Sequence, residues 1–186
     1  MSISKITKSL SKTKDISFPP VHLWNPEMCE GQQISINREG EWFYNKSQIK
    51  NKKLVQLFST VIRKDDNNYF LVTPSEKVPV HVDLAPYVIT NFEITNKGIH
   101  LETNLDYSFD LNKLNSTNLI DFEGSKLPII HVRNGIDGFF NRNIYYKLID
   151  IALEQNVIKN KILYIHSMGV DHPLGCLLYT SDAADE

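Results

Sequence analysis

Six side chains in this sequence combine charge, hydrogen-bonding capacity or a stacking surface with a place beside a turn: Trp24, Arg38, Thr73, Glu76, Lys77 and Arg133. Arginine is scarce, occurring only at Arg38, Arg63, Arg133 and Arg142 among the 20 basic residues. Its planar fork suits carboxylate and phosphate better than the point charge of lysine. Arg38 and Arg133 each stand two residues before a glycine, in Arg38-Glu39-Gly40 and Arg133-Asn134-Gly135. With Thr73, Glu76 and Lys77 as further polar groups, both arginines could converge on a ligand at a junction between two halves of the chain, and Trp24 could stack on a base or ring. The alternative is structural: an ion pair, for instance with Glu76, or a solvated turn.

Most other chemistries lack their residues. The sequence contains no phosphate loop, dinucleotide glycine pattern, nucleophile elbow or paired-histidine zinc helix, and no catalytic motif, so an enzyme is not expected. Gly124-Ser125-Lys126 lacks the earlier glycine of a phosphate loop and precedes a strand. The histidines, His22, His81, His100, His131, His166 and His172, are scattered singly, although His81 and Asp83 would share one strand face. Single histidines on strands are ordinarily structural, so neither metal nor cofactor is expected. Nothing near Cys29 would lower its pKa, which favours a buried thiol over a nucleophile.

The 20 basic against 22 acidic residues and a net charge of -2 give no electrostatic footprint for duplex nucleic acid or an acidic membrane. The longest apolar stretches fall short of a membrane helix, and Met1 to Ser17 has the lysines of a signal peptide without its apolar core. Those residues read as a flexible arm and the protein as cytoplasmic. Cys176 to Glu186, CLLYTSDAADE, resembles the translation of a sequencing-library adapter. It points to a metagenomic or shotgun reading frame, and its thiol and acidic cluster carry no weight.

Alternation predicts a hairpin over Gln33 to Tyr44, turning at Glu39-Gly40. Leu54, Val55, Leu57, Phe58, Val61 and Ile62 recur at helical spacing and predict a helix between Lys50 and Arg63. Strands follow at Tyr69 to Thr73 and Val78 to Val82, with Pro79 suggesting an edge or a bulge. A meander is expected from Tyr87 to Leu111 and a polar connection from Asn112 to Asn118. A strand at Leu127 to Val132, a turn at Asn134-Gly135, a helix through Ile144 to Leu153 and a strand at Ile162 to Ile165 complete the chain. An α+β architecture with antiparallel sheets follows.

A spacing of 95 residues relates Arg38 to Arg133, Gly40 to Gly135, Leu54 to Ile149, Leu57 to Ala152 and Phe58 to Leu153. It suggests a duplication of strand, turn, strand, helix and strand. The expected organisation is an arm over 1–17, an N-terminal half over 18–86, a C-terminal half over 87–175 and the non-native tail over 176–186.

PPVHLWNPE from Pro19, ISINREGEWFY from Ile34, LVQLFSTVIRKDD from Leu54, YFLVTPSEKVPVHVDLAPYV from Tyr69 and HPLG from His172 together resemble bacterial domain-of-unknown-function family 1285. The resemblance implies a duplicated two-domain α+β core whose second half is loosely pleckstrin-homology-like. It also implies a nucleotide-like ligand at the domain interface and a part in signalling. The family usually has an aromatic where this chain has His172. Two functions follow as expectations: a module sensing a nucleotide-like or phosphorylated small molecule, or a scaffold binding a signalling protein without a small ligand.

Overall fold

The computed structural model describes residues 18–29 and 31–176. Cys176 ends the last strand, exposed; the proposed arm and the remainder of the tail lie outside the described residues. The chain forms two compact units. One takes the chain up to Val88 with Thr103–Tyr107 and Val132–Gly138; the other takes Ile89–Glu102, Ser108–His131 and the chain from Phe139. No described helix is long and apolar enough to cross a membrane.

The first sheet runs β3-β2-β1-β6-β5-β4, with β1 Ile34–Ile36, β2 Trp42–Tyr44, β3 Ser47–Gln48, β4 Ile62–Asp65, β5 Asn68–Val72 and β6 Lys77–Val82. The predicted β1–β2 hairpin is present, pairing Ile36 with Trp42. The Asn37 side chain shapes its turn by accepting from the Glu39 and Glu41 N–H groups. Gly40 has φ +75°, and a Cβ there would meet Val88 Cγ2 at 2.4 Å, so both backbone and packing require glycine.

Two expectations fail in this sheet. It is mixed, because β1 pairs with β6 in parallel. Pro79 lies on an interior strand, not an edge; the β1 ladder begins at Val80, one residue beyond it, so the missing N–H breaks no β1 bond.

Helix α1, Lys52–Thr60, starts at Asn51, whose side chain accepts from Leu54 N–H, and buries Val55 and Phe58. It stops short of the predicted end: Val61 N–H closes on Phe58 O, and the β-branched pair Val61-Ile62 leads into β4. Trp42, Phe58, Ile62 and Leu71 are fully buried and form much of this core.

The second sheet has the order β10-β11-β12-β7-β8-β9, with β7 Tyr87–Ile94, β8 Ile99–Thr103, β9 Ser108–Asp110, β10 Thr117–Phe122, β11 Ser125–Arg133 and β12 Ile136–Phe140. The predicted meander supplies β7 to β9. Part of the expected polar connection is instead strand β10, whose Thr117 is buried and opposes Ile130 of β11. Its polar alternation hid a strand held by pairing more than by apolar burial. Helix α2, Arg142–Gln155, is capped by Asn141 through Ile144 N–H and ends at left-handed Asn156. A third sheet, β13 Val157–Lys159, β14 Ile162–Ser167 and β15 Val170–Cys176, follows it.

Mostly sheet with two helices, the chain is made of two similar halves: β1-β2-β3-α1-β4-β5-β6 recurs as β10-β11-β12-α2-β13-β14-β15. Both helices start at an asparagine cap. β10 lies beside β15, where Thr117 Oγ1 donates to Pro173 O at 2.6 Å, as β1 lies beside β6. The 95-residue spacing holds where the helices end, at Thr60 and Gln155. It fails at the arginines. Arg38 is in the turn after the first strand of its half, whereas Arg133 closes β11, the second strand of the other half.

Candidate functional site

A groove of about 560 Å³ opens in the first unit between a short 3₁₀ turn and β4. Its shape begins with Pro19 and Pro20, which direct the chain into the turn Val21–Leu23. Val21 buries its side chain, while the turn is closed by Leu23 N–H on Pro20 O and Trp24 N–H on Val21 O. Arg63 of β4 then ties this segment down. Its Nη1 donates to Val21 O at 2.8 Å and Trp24 O at 2.7 Å, and its Nη2 donates to Asp65 Oδ2 at 2.8 Å. Nε, buried, makes a charge contact with Asp65 Oδ1 at 2.8 Å.

The groove therefore has an apolar floor from Val21 and Ile62, an indole wall from half-buried Trp24, and polar edges from His22, Asn25 and Asn134. Its charged lining consists of Arg63, Lys64 and Asp65. Lys77 Nζ reaches Asp65 Oδ2 at 2.8 Å while lying 4.0 Å from the Phe70 ring centroid. Bonds from Arg63, then from Lys77, hold the Asp65 carboxyl below its ordinary pKa despite partial burial. Lys64 is 3.3 Å from Asp137 Oδ2. Burial pulls the Lys64 pKa down, yet Tyr69 and Asp137 outweigh it and the net shift is upward, keeping the ammonium charged at neutral pH.

Of the six residues singled out in the sequence, Trp24 alone lines this groove, and Lys77 acts on it only through Asp65. Arg133 is buried, with Nε donating to Tyr87 Oη at 3.0 Å and Nη2 donating to Ser59 O. The Phe18 ring lies 4.0 Å from its guanidinium carbon. These contacts engage its Nε and Nη2 within the fold. Arg38 is exposed at the β1–β2 turn. Thr73 and Glu76 build the β5–β6 turn, where Glu76 N–H donates to Thr73 Oγ1 at 3.1 Å and Thr73 N–H to Glu76 O at 2.9 Å. In place of the alternative arginine–Glu76 ion pair, Arg63 and Lys77 pair with Asp65, and Glu76 Oε2 is buried without a hydrogen-bond partner.

Family models match both halves. The N-terminal domain of DUF1285, described as a domain of unknown function, matches residues 19–85, and the DUF1285 C-terminal domain matches residues 86–174. The chain belongs to the DUF1285 family. A DUF1285 protein from Silicibacter pomeroyi DSS-3, known from its crystal structure, is 29% identical with a TM-score of 0.80 over 92% of this chain and 95% of that one. Another from Shewanella baltica OS155 is 26% identical with a TM-score of 0.53 over 66% of this chain and 94% of that one. No curated protein matches.

Of the groove's charged residues, Arg63 escapes sequence reasoning because it reads as the end of a helix, and Lys64 because it falls just beyond that helix with no pattern of its own. The scarcity of arginine was the available signal for Arg63. Trp42 of β2 is core at 1% exposure. Gly124-Ser125-Lys126 forms the β10–β11 hairpin turn, where Lys126 pairs with Asp121 at 2.7 Å. Cys29 is half-buried and accepts a long contact from Gln32 Nε2.

Three histidines stand against aspartates: His81 with Asp83 at 3.2 Å, His100 with Asp110 at 2.6 Å and His166 with Asp171 at 2.7 Å. Among the described residues, no group of three His, Cys, Asp or Glu side chains could hold a metal ion.

His172 is fully buried in this DUF1285 fold. Its Nδ1 is 2.9 Å from Ser116 Oγ and its Nε2 3.4 Å from Ser167 O. Burial lowers its pKa below the ordinary 6.5, against the Ser167 carbonyl and Asp171, which raise it; His166 lowers it further. Between the folded and unfolded pKa values the unfolded chain holds more protons. The stabilising effect is thus complete above about pH 6.5 and is lost as pH falls through the window below it. Urea titrations at pH 8 and pH 5.5 should show lower stability at the acid pH, and His172→Phe should flatten that part of the difference.

Proposed function

We propose that this chain is a small-molecule-binding module whose ligand is nucleotide-like or phosphorylated, bound in the groove between Val21–Asn25 and β4. A sensing role in cytoplasmic signalling accompanies this reading. The observation that supports it is that Trp24 and Lys64 both line one concave surface. An aromatic wall serves a ring and a cation serves a phosphate oxygen. A volume of about 560 Å³ lies within the range of small-ligand sites. The family match supports the fold without naming a ligand.

Thermal-shift measurements on the full chain with nucleotides, cyclic nucleotides and sugar phosphates should find a ligand that raises the melting temperature. Trp24→Ala should remove that rise while leaving the ligand-free melting temperature within a few degrees. Retention of the shift in Trp24→Ala, or no shift across the panel, would sink the groove as the site.

A second reading is a protein-binding scaffold using a loosely pleckstrin-homology-like C-terminal half. Leu23 at 72% and Met28 at 55% exposure favour a protein partner, although they place it on the N-terminal segment beside the groove. Binding of a protein partner that Leu23→Ser and Met28→Ser abolish, with no small-molecule shift, would decide for it.

A further inference from the structure

We infer that the groove selects a ligand carrying one negative charge beside its ring, of the cyclic-nucleotide or other nucleoside-phosphodiester class, over a nucleoside triphosphate. This rests on the groove reading above. Its basis is how the surrounding charges are already committed.

Arg63, the strongest phosphate-binding side chain in the groove, is engaged elsewhere. Nη1 is occupied by the Val21 and Trp24 carbonyls, and Nε and Nη2 face the two oxygens of Asp65. Releasing it for a ligand would unfasten the segment that carries Trp24. Lys77 is also directed to Asp65 and lies over Phe70. Lys64 is different. Of its three ammonium donors, Asp137 takes one at 3.3 Å and the Tyr69 side chain a second, and the side chain is 26% exposed. One donor is left to offer the groove.

The charges agree. Arg63 and Lys64 against Asp65 leave the lining at one net positive charge, and adding the outer pair, Lys77 and Asp137, leaves that sum unchanged. A single phosphodiester charge meets an equal and opposite lining. A triphosphate brings several charges, and those beyond the first face the Asp65 carboxylate without a compensating cation. Asn25 and Asn134, exposed amides on the groove edge, can both donate and accept, which fits the mixed pattern along a nucleobase edge.

Calorimetric titration of the full chain with one series per base, namely nucleoside, 3′,5′-cyclic monophosphate, diphosphate and triphosphate, tests the charge rule. The cyclic monophosphate should bind at least tenfold more tightly than either the nucleoside or the triphosphate of its base. Lys64→Gln should weaken the cyclic monophosphate about tenfold, to the level of the nucleoside, while nucleoside binding stays the same. Triphosphate binding as tight as the cyclic monophosphate, or a Lys64→Gln protein that loses nothing, overturns the single-charge inference and leaves the groove reading standing. No binding by any member of the series, nucleosides included, overturns both. The melting temperature of Lys64→Gln, expected close to the parent's, separates a lost contact from a lost fold.

Discussion

Replacing Arg133 with alanine is expected to lower stability by about 2–4 kcal/mol, measured by urea denaturation, because a buried charge and its acceptors are separated. The guanidinium is 7% exposed, with Nε on the Tyr87 hydroxyl, Nη2 on the Ser59 carbonyl and its face against Phe18. Truncation removes one of the two donors to the Ser59 carbonyl, which keeps the Tyr87 hydroxyl at 3.3 Å, strips the donor from Tyr87 Oη, and opens a cavity beside an aromatic ring. Arg133→Lys should recover part of the loss, since an ammonium retains the charge but cannot span both acceptors. Arg38→Ala, at an exposed turn, should change stability by no more than about 0.5 kcal/mol. If Arg133→Ala kept full stability and lost ligand binding instead, Arg133 would be a ligand residue as the sequence suggested.

Arg63→Ala carries the other large effect, and it joins stability to function. The substitution frees the Val21 and Trp24 carbonyls and leaves Asp65 with Lys77 as its cation. Loss of two charge-assisted bonds to carbonyls and of both contacts to the Asp65 carboxylate should cost about 2–3 kcal/mol. Because the Val21–Leu23 turn is held to β4 through this side chain, the variant should also lose ligand-induced stabilisation, although Arg63 itself makes no ligand contact in the proposed site. Arg63→Lys should behave nearly as badly, since one ammonium cannot reach both carbonyls and the carboxylate with the geometry of the fork. A protein that keeps both its stability and its thermal shift after Arg63→Ala would show that the clamp does not shape the groove.

How much was legible in the chain varied with the range of the signal. Both helices follow from apolar residues at helical spacing and from the asparagines that cap them, Asn51 and Asn141. The β1–β2 hairpin follows from alternation and Gly40. The ends of elements were less legible: Ile62 and Arg63 continue the helical pattern of α1, yet pair with Leu71 and Phe70 in a sheet. A β-branched residue at a helix end satisfies either pattern, and a partner strand distant in sequence decides between them. β10 was hidden for the same reason, being half polar and supported by β11.

The candidate site shows the division most clearly. Trp24 announced itself as an exposed-prone aromatic in a proline-rich stretch, but Arg38 and Arg133 drew attention through a repeat that is one strand out of register at that point. Local composition determined where helices cap, where turns need glycine, and that the chain is a duplicated α+β fold of the DUF1285 family. Tertiary structure decided which charges meet. Arg63 reaches back to Val21 and Trp24 across roughly forty positions of sequence, and Arg133 reaches Ser59 across more than seventy. Hydrogen bonds of that separation depend on sheet order and register, which no local pattern encodes.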